Sequence, residues 1–433
     1  MDIFTLTDDE GRLFHPVRQA ATFAKYSRSP DSAHELVKQT DELAAAKFQQ
    51  KWIVNFGHNA IAELATIPVA FEGVSIVASK AIEAWERPGV CEKSTRMQHF
   101  DRDSLYVPEG IEPATLDRVM PLVEKCFQLY ESLLKDLPAV LGEKNPDASQ
   151  AQLNRAVFDI ARYLLPAGCR TNLGICAYPR DLSEMISVLS GNPNPEFQTI
   201  GQNLKAATEA LGGPLIRHTE PDMWAGKVPL PKVRKNLGLA GYDNIVLPTG
   251  SNIDETQFWT LLRTRYGMTP QDLMALMQDR PEHHCVPKFF REVQISYSIY
   301  MDYGAFRDLQ RHRRMDQFVE PLSPVYGFAL PPGLETISND AYWKMRTLFL
   351  EFPAADWPDD PIQQMLCQYL VPLAFRVGWH VNMDLQQLYY LVELRTQEAG
   401  HSSYRQVAYA LWDHAAGRFP FLTQWIRPRG PRP

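Results

Sequence analysis

No apolar run in this sequence approaches the roughly 18 residues that a membrane-spanning helix needs, so none is expected. The opening residues, Met1-Asp2-Ile3-Phe4-Thr5, contain no basic segment followed by an apolar core, which argues against a secretory signal and for a cytoplasmic protein. Cys-x-x-Cys spacing is absent too. The six cysteines, Cys91, Cys126, Cys169, Cys176, Cys285 and Cys367, are scattered and read as reduced, buried thiols rather than as disulfides or metal ligands. Nor is there an excess of positive charge: 51 acidic against 44 basic residues give a net charge of -7. That balance argues against general nucleic-acid binding, while leaving room for a local basic pocket. What remains is a chain of 433 residues with ordinary globular composition, long enough for two or three domains with full cores.

Hydrophobic periodicity organises this chain twice over. In the first part, irregular sequence up to Ser29 precedes a helix predicted over Ala33 to Asn55. Alternation of Ile67, Val69 and Phe71 then predicts a strand, placed at a sheet edge by Pro68. Helices are predicted over Ser75 to Trp85, Pro113 to Asp136, Ala148 to Leu165 and Arg180 to Leu189, with a short one reaching Leu211. On the third of these, Arg155, Asp159 and Arg162 share a face and read as a structural ion-pair ladder, with ligand binding by Arg162 as the other reading. Residues 220–252 are rich in proline and glycine and read as a linker. Beyond it come helices over Asp254 to Arg265 and Pro270 to Met277. A strand follows through Val293, Ile295, Tyr297, Ile299 and Met301, then a helix from Gly304 to Met315.

The two parts are related by direct self-similarity. Tyr163-Leu164-Leu165-Pro166 matches Tyr369-Leu370-Val371-Pro372 at an offset of 206 residues, as does Leu182 with Leu388; upstream, His58 matches His284 at an offset of 226. The difference places extra chain in the first half, around Glu131 to Ala148. This pattern predicts a tandem duplication: a first domain over 1–219, a linker over 220–252 and a second domain over 253–433.

Chemistry concentrates at Arg311-His312-Arg313-Arg314, at the end of the last predicted helix. Two readings are open for it: a solvated basic helix face, or an anion site in which guanidinium forks hold a phosphate or a flavin. The first half adds Gly57-His58, Glu63, Glu92-Lys93-Ser94-Thr95-Arg96, Ala161-Arg162-Tyr163-Leu164-Leu165-Pro166 and Arg180, and the second adds Leu394-Arg395. Together these resemble the flavin-dependent thymidylate synthases (ThyX). That family's signature is Arg-His-Arg-x-x-Ser-x-Asn-Glu-x-Ser-x-Arg, with Gly-His-x-x-x-x-Glu upstream and Ala-Arg-x-x-Leu-Pro, Asn-x-Arg and Leu-Arg downstream. Neither half carries all of it. The first reads Ala84-Trp85-Glu86 where the family has Arg-His-Arg, Tyr178 for the Asn of Asn-x-Arg, and Leu189 for the last arginine. The second reads Val319-Glu320-Pro321-Leu322-Ser323, Cys367-Gln368 and Asp384-Leu385-Gln386 at the remaining motifs. The two inventories are nearly complementary.

The resemblance implies an α/β (α+β) protein of two ThyX-like domains, each a small, mostly antiparallel sheet packed with long helices. It implies methyl transfer to C5 of dUMP or a related uridylate, with FAD as hydride carrier, methylenetetrahydrofolate as one-carbon donor and NADPH as reductant. Carried over residue by residue, the catalytic groups are Arg311, Ser94 and Arg96. Substrate binding falls to Glu92, Ser94, Arg96, Arg162, Arg311 and Arg395, and flavin binding to His58, Glu63, Arg180, His312 and Arg313. No metal is implied: His283, His284 and Cys285 are adjacent in sequence and converge poorly on one ion. Because the family is a homotetramer with sites between subunits, the expected assembly is a homodimer of tandem chains that keeps the mixed sites. Loss of the signature serine at Gly89 and Asp316, and of its asparagine at Cys91 and Phe318, leaves the product open. Methylation or hydroxymethylation of another uridine nucleotide is one alternative, and a non-catalytic flavin- or nucleotide-binding relative is another.

Overall fold

The computed structural model describes residues 59–224 and 241–433, together with 15–26, 227–228 and positions 29, 35–36, 40, 45, 233 and 239. His58 and, apart from isolated positions, the helix expected over 33–55 lie outside the described residues. In chain order the main elements are α1 (Pro16–Tyr26), β1 (Ile67–Ser75), α2 (Ile76–Glu83), β2 (Gly89–Glu92), α3 (Pro113–Lys144), α4 (Gln150–Ala161), β3 (Arg170–Ala177), α5 (Pro179–Gly191) and α6 (Pro195–Gly212). The second series is β4 (Ile245–Ser251), α7 (Glu255–Tyr266), α8 (Pro270–Gln278), β5 (Gln294–Asp302), α9 (Tyr303–Leu309), β6 (Asp316–Val319), α10 (Asn339–Glu351), α11 (Pro361–Cys367), β7 (Arg376–Asp384), α12 (Leu385–Arg395) and α13 (Ser402–Arg418). The protein is thus a mixed α+β fold with two small antiparallel sheets. Among the described residues no helix is long and apolar enough to cross a membrane.

Contacts divide the chain into two compact units, Met1–Lys93 with Arg170–Leu230 and Ser94–Cys169 with Pro231–Pro433. The unit boundaries therefore do not follow the sequence halves: residues 94–169 group with the second half. The first unit is built on the sheet β1–β3–β2, with β1 at an edge as Pro68 requires. Along β3 the buried Thr171, Leu173, Ile175 and Ala177 alternate with exposed residues, and the buried set packs on Ile67, Leu182, Met185 and Ile186. Each such aliphatic side chain taken out of water contributes about 1.5–3 kcal/mol. Ser75 caps α2 by accepting a hydrogen bond from the Ala78 amide at 2.9 Å. Contrary to the sequence expectation, the opening region contains α1. Pro16 there is not a turn residue but starts the helix, and Val17, Ala20, Ala21 and Ala24 form its buried stripe.

The second unit is built on the sheet β4–β5–β7–β6. Strand β4 lies in the stretch read as linker. It is an edge strand whose register shifts between Pro248 and Gly250, which is how proline and glycine are accommodated in it. The helix expected from Gly304 to Met315 stops at Leu309, so Arg307, Arg311 and Arg314 do not share a helical face. Residues 310–315 instead form a turn into β6.

Both units repeat one order: strand, short helix, short strand, then a further strand and two helices. Strands β1 and β5 start 227 residues apart, as do β2 and β6, while β3 and β7 are offset by 206. Within the second unit the two Tyr-Leu-x-Pro segments pair with each other, with Pro166 opposite Pro372. Their hydrogen bonds are reciprocal: Ala167 donates to Val371 and Leu373 to Leu165, both at 2.9 Å, and Gly168 donates to Tyr369 at 2.7 Å as Ala374 does to Tyr163 at 3.0 Å. Residues related by the sequence offset thus exchange places across a local two-fold, the pattern of an isologous interface.

Candidate functional site

The second unit gathers arginines from both sequence halves around one carboxylate. Arg96 follows the Ser94 turn, whose hydroxyl accepts from the Arg96 amide at 3.2 Å. Its guanidinium grips Asp159 on α4 in a two-pronged pair at 2.5 and 2.8 Å. Arg162, just past the end of α4, is 2% exposed, and its nearest charge partner is Asp308 on α9, with Nη1 and Oδ2 3.7 Å apart. Its Nε and Nη2 are buried without a hydrogen-bond partner. Such a group forgoes hydration without compensation, which makes it the natural place for an incoming anion. Asp308 is held below the usual carboxylate range: burial opposes ionisation, but Arg162, Arg395, Arg311 and Arg96 together outweigh it. Gly304 leaves room for this packing, since a Cβ there would lie 3.2 Å from the Arg162 Cζ.

His312 is buried in the turn after α9. Its Nε2 accepts from Arg395 Nε at 2.7 Å, while its Nδ1 lies 3.2 Å from the Gln387 amide nitrogen and its ring meets Tyr390 edge-on at 5.5 Å. Burial, reinforced by Arg395, pushes its pKa down to about 3, so the imidazole is neutral and serves as an acceptor. Arg395 also lies over the Tyr404 ring, 5.5 Å from its centre. Neighbouring Arg314 forks onto Asp384 at 2.6 and 3.0 Å, Arg307 is buried and donates to Thr95 at 3.0 Å, Arg311 is exposed and Arg313 half-buried. His401, the cap of α13, is buried with its Nε2 3.2 Å from the Asp159 carbonyl. Burial first, then Arg162 and Arg96, push its pKa well down.

These depressed histidines set a pH dependence. The unfolded chain binds a proton at His312 below about pH 6.5, whereas the folded chain does so only near 3. Between those values the unfolded state holds more protons, so stability is complete above about 6.5 and declines toward 3. Denaturant titrations at pH 7 and pH 4.5 should show that decline. His312→Gln should reduce that decline, by about 2–3 kcal/mol at pH 4.5.

The expected α4 ladder is not formed. Arg155 donates to the Ala399 carbonyl, Asp159 binds Arg96 and Arg162 faces Asp308, because the helix ends at Ala161 and Arg162 starts a tighter turn. Of the sequence-derived substrate set, Ser94, Arg96, Arg162, Arg311 and Arg395 fall in the second unit, while Glu92 falls in the first. There Glu92 is buried on β2, 3.1 Å from Lys80, which also bonds Glu83 at 2.5 Å. Glu63 and Arg180 are also in the first unit and pair with each other at 2.7 Å; Glu63 further accepts from Arg87 at 2.9 Å, and Arg87 in turn meets Asp181. The hydrogen bond from Arg87 is the main cause that holds Glu63 below its usual pKa. Arg180 lines a pocket of about 310 Å³ with Arg217 and His218. The equivalent pocket of the second unit, about 230 Å³, is lined by His283, His284, Cys285, Gln386 and Tyr390. Cys91 is an exposed free thiol, whereas Cys126, Cys169 and Cys367 are buried as expected. Cys176 and Cys285 are exposed instead, since they stand on the outward face of β3 and in the loop before β5. Asp308, His401 and Tyr404 were not singled out by sequence: none stands in a recognisable spacing, and each is brought in by a contact between distant segments.

A family profile described as thymidylate synthase complementing protein matches residues 13–209 and 273–421. A UPF0159 protein of Chlamydia muridarum is 27% identical over 462 aligned residues, covering 90% of this chain and 86% of its own. Another from Chlamydia pneumoniae is 26% identical, covering 91% of this chain and 86% of its own, and one from Thermoplasma acidophilum is 23% identical, covering 95% of both. Among solved structures, thymidylate synthase X (ThyX) from Helicobacter pylori, crystallised with FAD and dUMP, aligns with 42% of this chain and 97% of its own at 15% identity and a TM-score of 0.31. At that score no residue equivalence is drawn from it.

Proposed function

This chain belongs to the thymidylate synthase complementing protein family, and on that premise we propose that it is a flavin-dependent enzyme acting at C5 of a uridylate, dUMP or a close relative. The observation that carries the reading is buried Arg162, 3.7 Å from Asp308 with two of its nitrogens unbonded, in the unit that also holds Arg96 and Arg395. A nucleotide monophosphate supplies the oxygens that Arg162 lacks. In this reading Arg96, Arg162 and Arg395 hold the phosphate, with Ser94 as a neutral donor. Arg311 polarises a pyrimidine carbonyl so that charge developing on the ring is stabilised.

Arg180, Arg217 and His218 line a pocket of about 310 Å³ in the first unit together with Glu184 and Asp222, a mixed set of charges in which the arginines are the groups a diphosphate would use. Flavin contact is proposed for Glu63 and Arg180 in the first unit, with His58, His312 and Arg313 as further candidates from the family signature. FAD, when bound, would supply the hydride, with NADPH as its reductant and methylenetetrahydrofolate as the one-carbon source. Neutral His312 acts as an acceptor that fixes Arg395, not as an acid.

The reciprocal bonds across Pro166 and Pro372 support a tandem duplication in which one chain carries a pairing that would otherwise need two subunits. The division into a first domain over 1–219 and a second over 253–433 is part of that proposal, as is a homodimer of such chains. Three measurements on one preparation test the reading: visible absorption, solution mass and tritium release from 5-labelled dUMP. Flavin bands, a two-chain mass and nucleotide-dependent release are expected. Arg96→Ala and Arg311→Ala should each lower release by about 100-fold or more, with Glu86→Ala tolerated. A protein that takes up no flavin even from added FAD would sink the proposal.

A further inference from the structure

Arg162 and Asp308 form an uneven pair. The arginine side chain is 3% exposed and the aspartate 22%, so solvent reaches the pair from the Asp308 side. Their 3.7 Å separation is an ion-pair distance but too long for a hydrogen bond. Asp159 cannot take the aspartate's place, being engaged by both prongs of Arg96. Asp302 takes its hydrogen bonds from Ser403, Asn244 and the Ala305 amide. Among the described residues Asp308 is therefore the loosely held acid of the cluster, on the side of Arg162 that solvent reaches.

We propose that Asp308 is a resident counter-anion that competes with the ligand's phosphate for Arg162 and so sets the affinity of the site. This rests on the reading of the cluster as an anion site. A phosphomonoester displaces the carboxylate by offering several oxygens at hydrogen-bond distance where Asp308 stands off at 3.7 Å. Singly charged anions with fewer acceptors do not, so the aspartate lowers occupancy by ordinary cellular anions.

The test is titration calorimetry of the full chain with inorganic phosphate, dUMP and chloride, for the native protein, Asp308→Asn and Asp308→Ala. Binding of phosphate and dUMP should tighten on the order of tenfold in both variants, with chloride now competing against dUMP. The alanine variant guards against an asparagine that merely rebonds. If the native protein binds phosphate or dUMP and neither variant gains affinity, the counter-anion role is overturned while the anion site stands. If neither the native protein nor the variants bind either ligand, the anion-site reading falls and this proposal with it.

Discussion

Replacing Arg162 by methionine should cost the ligand-free protein little stability while abolishing its response to phosphate. The two effects share one cause. Arg162 is a buried cation whose Nε and Nη2 have no hydrogen-bond partner and whose nearest carboxylate is 3.7 Å away. Desolvation is thus offset only in part, so removing this cation should cost less than the roughly 3–5 kcal/mol of breaking a well-bonded buried pair from one side. Asp308 does not become an orphan, because Arg395, Arg311 and Arg96 continue to act on it. Anion binding, by contrast, loses its least-satisfied donor. Activity should fall by at least about 100-fold, and the melting temperature, raised by phosphate in the native protein, should no longer move with phosphate. The checks are thermal unfolding with and without phosphate, and tritium release. A variant destabilised by several kcal/mol with its phosphate response intact would mean that Arg162 is structural.

What the sequence carries about this site divides along a physical line. Alternation of side chains reports burial on a strand, so β5 and the edge position of β1 could be read directly. The offset of 206 marked two segments as related, and their pairing across Pro166 and Pro372 is added by the fold. The misreadings came where a distant partner overrides the local pattern. A helical period runs through Arg314, yet the helix stops at Leu309, because burying His312 between Gln387 and Arg395 requires a turn there. Proline and glycine in β4 read as linker, since nothing local says that β5 offers an edge to pair with. Asp308 and His401 carry no motif; their roles come from Arg162 and Arg96, which the chain reaches only after folding.

The first unit offers the other large effect, Lys80→Met. The Lys80 ammonium is 3% exposed and sits 2.5 Å from Glu83 and 3.1 Å from Glu92, whose side chains are 3% and 0% exposed. Removing it leaves two carboxylates facing one space without the cation that both bond. Like charges at such a separation cannot both ionise at modest cost, so one must take up a proton or draw in water. Breaking a buried pair from one side typically costs about 3–5 kcal/mol, far more than the pair itself contributes. The corresponding position on α9, after β5, holds another buried cation, Arg307, which instead donates to Thr95 from a distant part of the chain. In the first unit the role of Lys80 is to orient Glu92. Two variants separate that role from a direct one. Lys80→Met should lower stability by the amount above, read from the denaturant midpoint. Glu92→Gln, which keeps shape and removes one of two competing charges, should change stability by less than about 1 kcal/mol. If Glu92 also serves the reaction, the same glutamine should still cost activity at full stability. Equal destabilisation by both variants would instead make Glu92 a purely structural partner of Lys80.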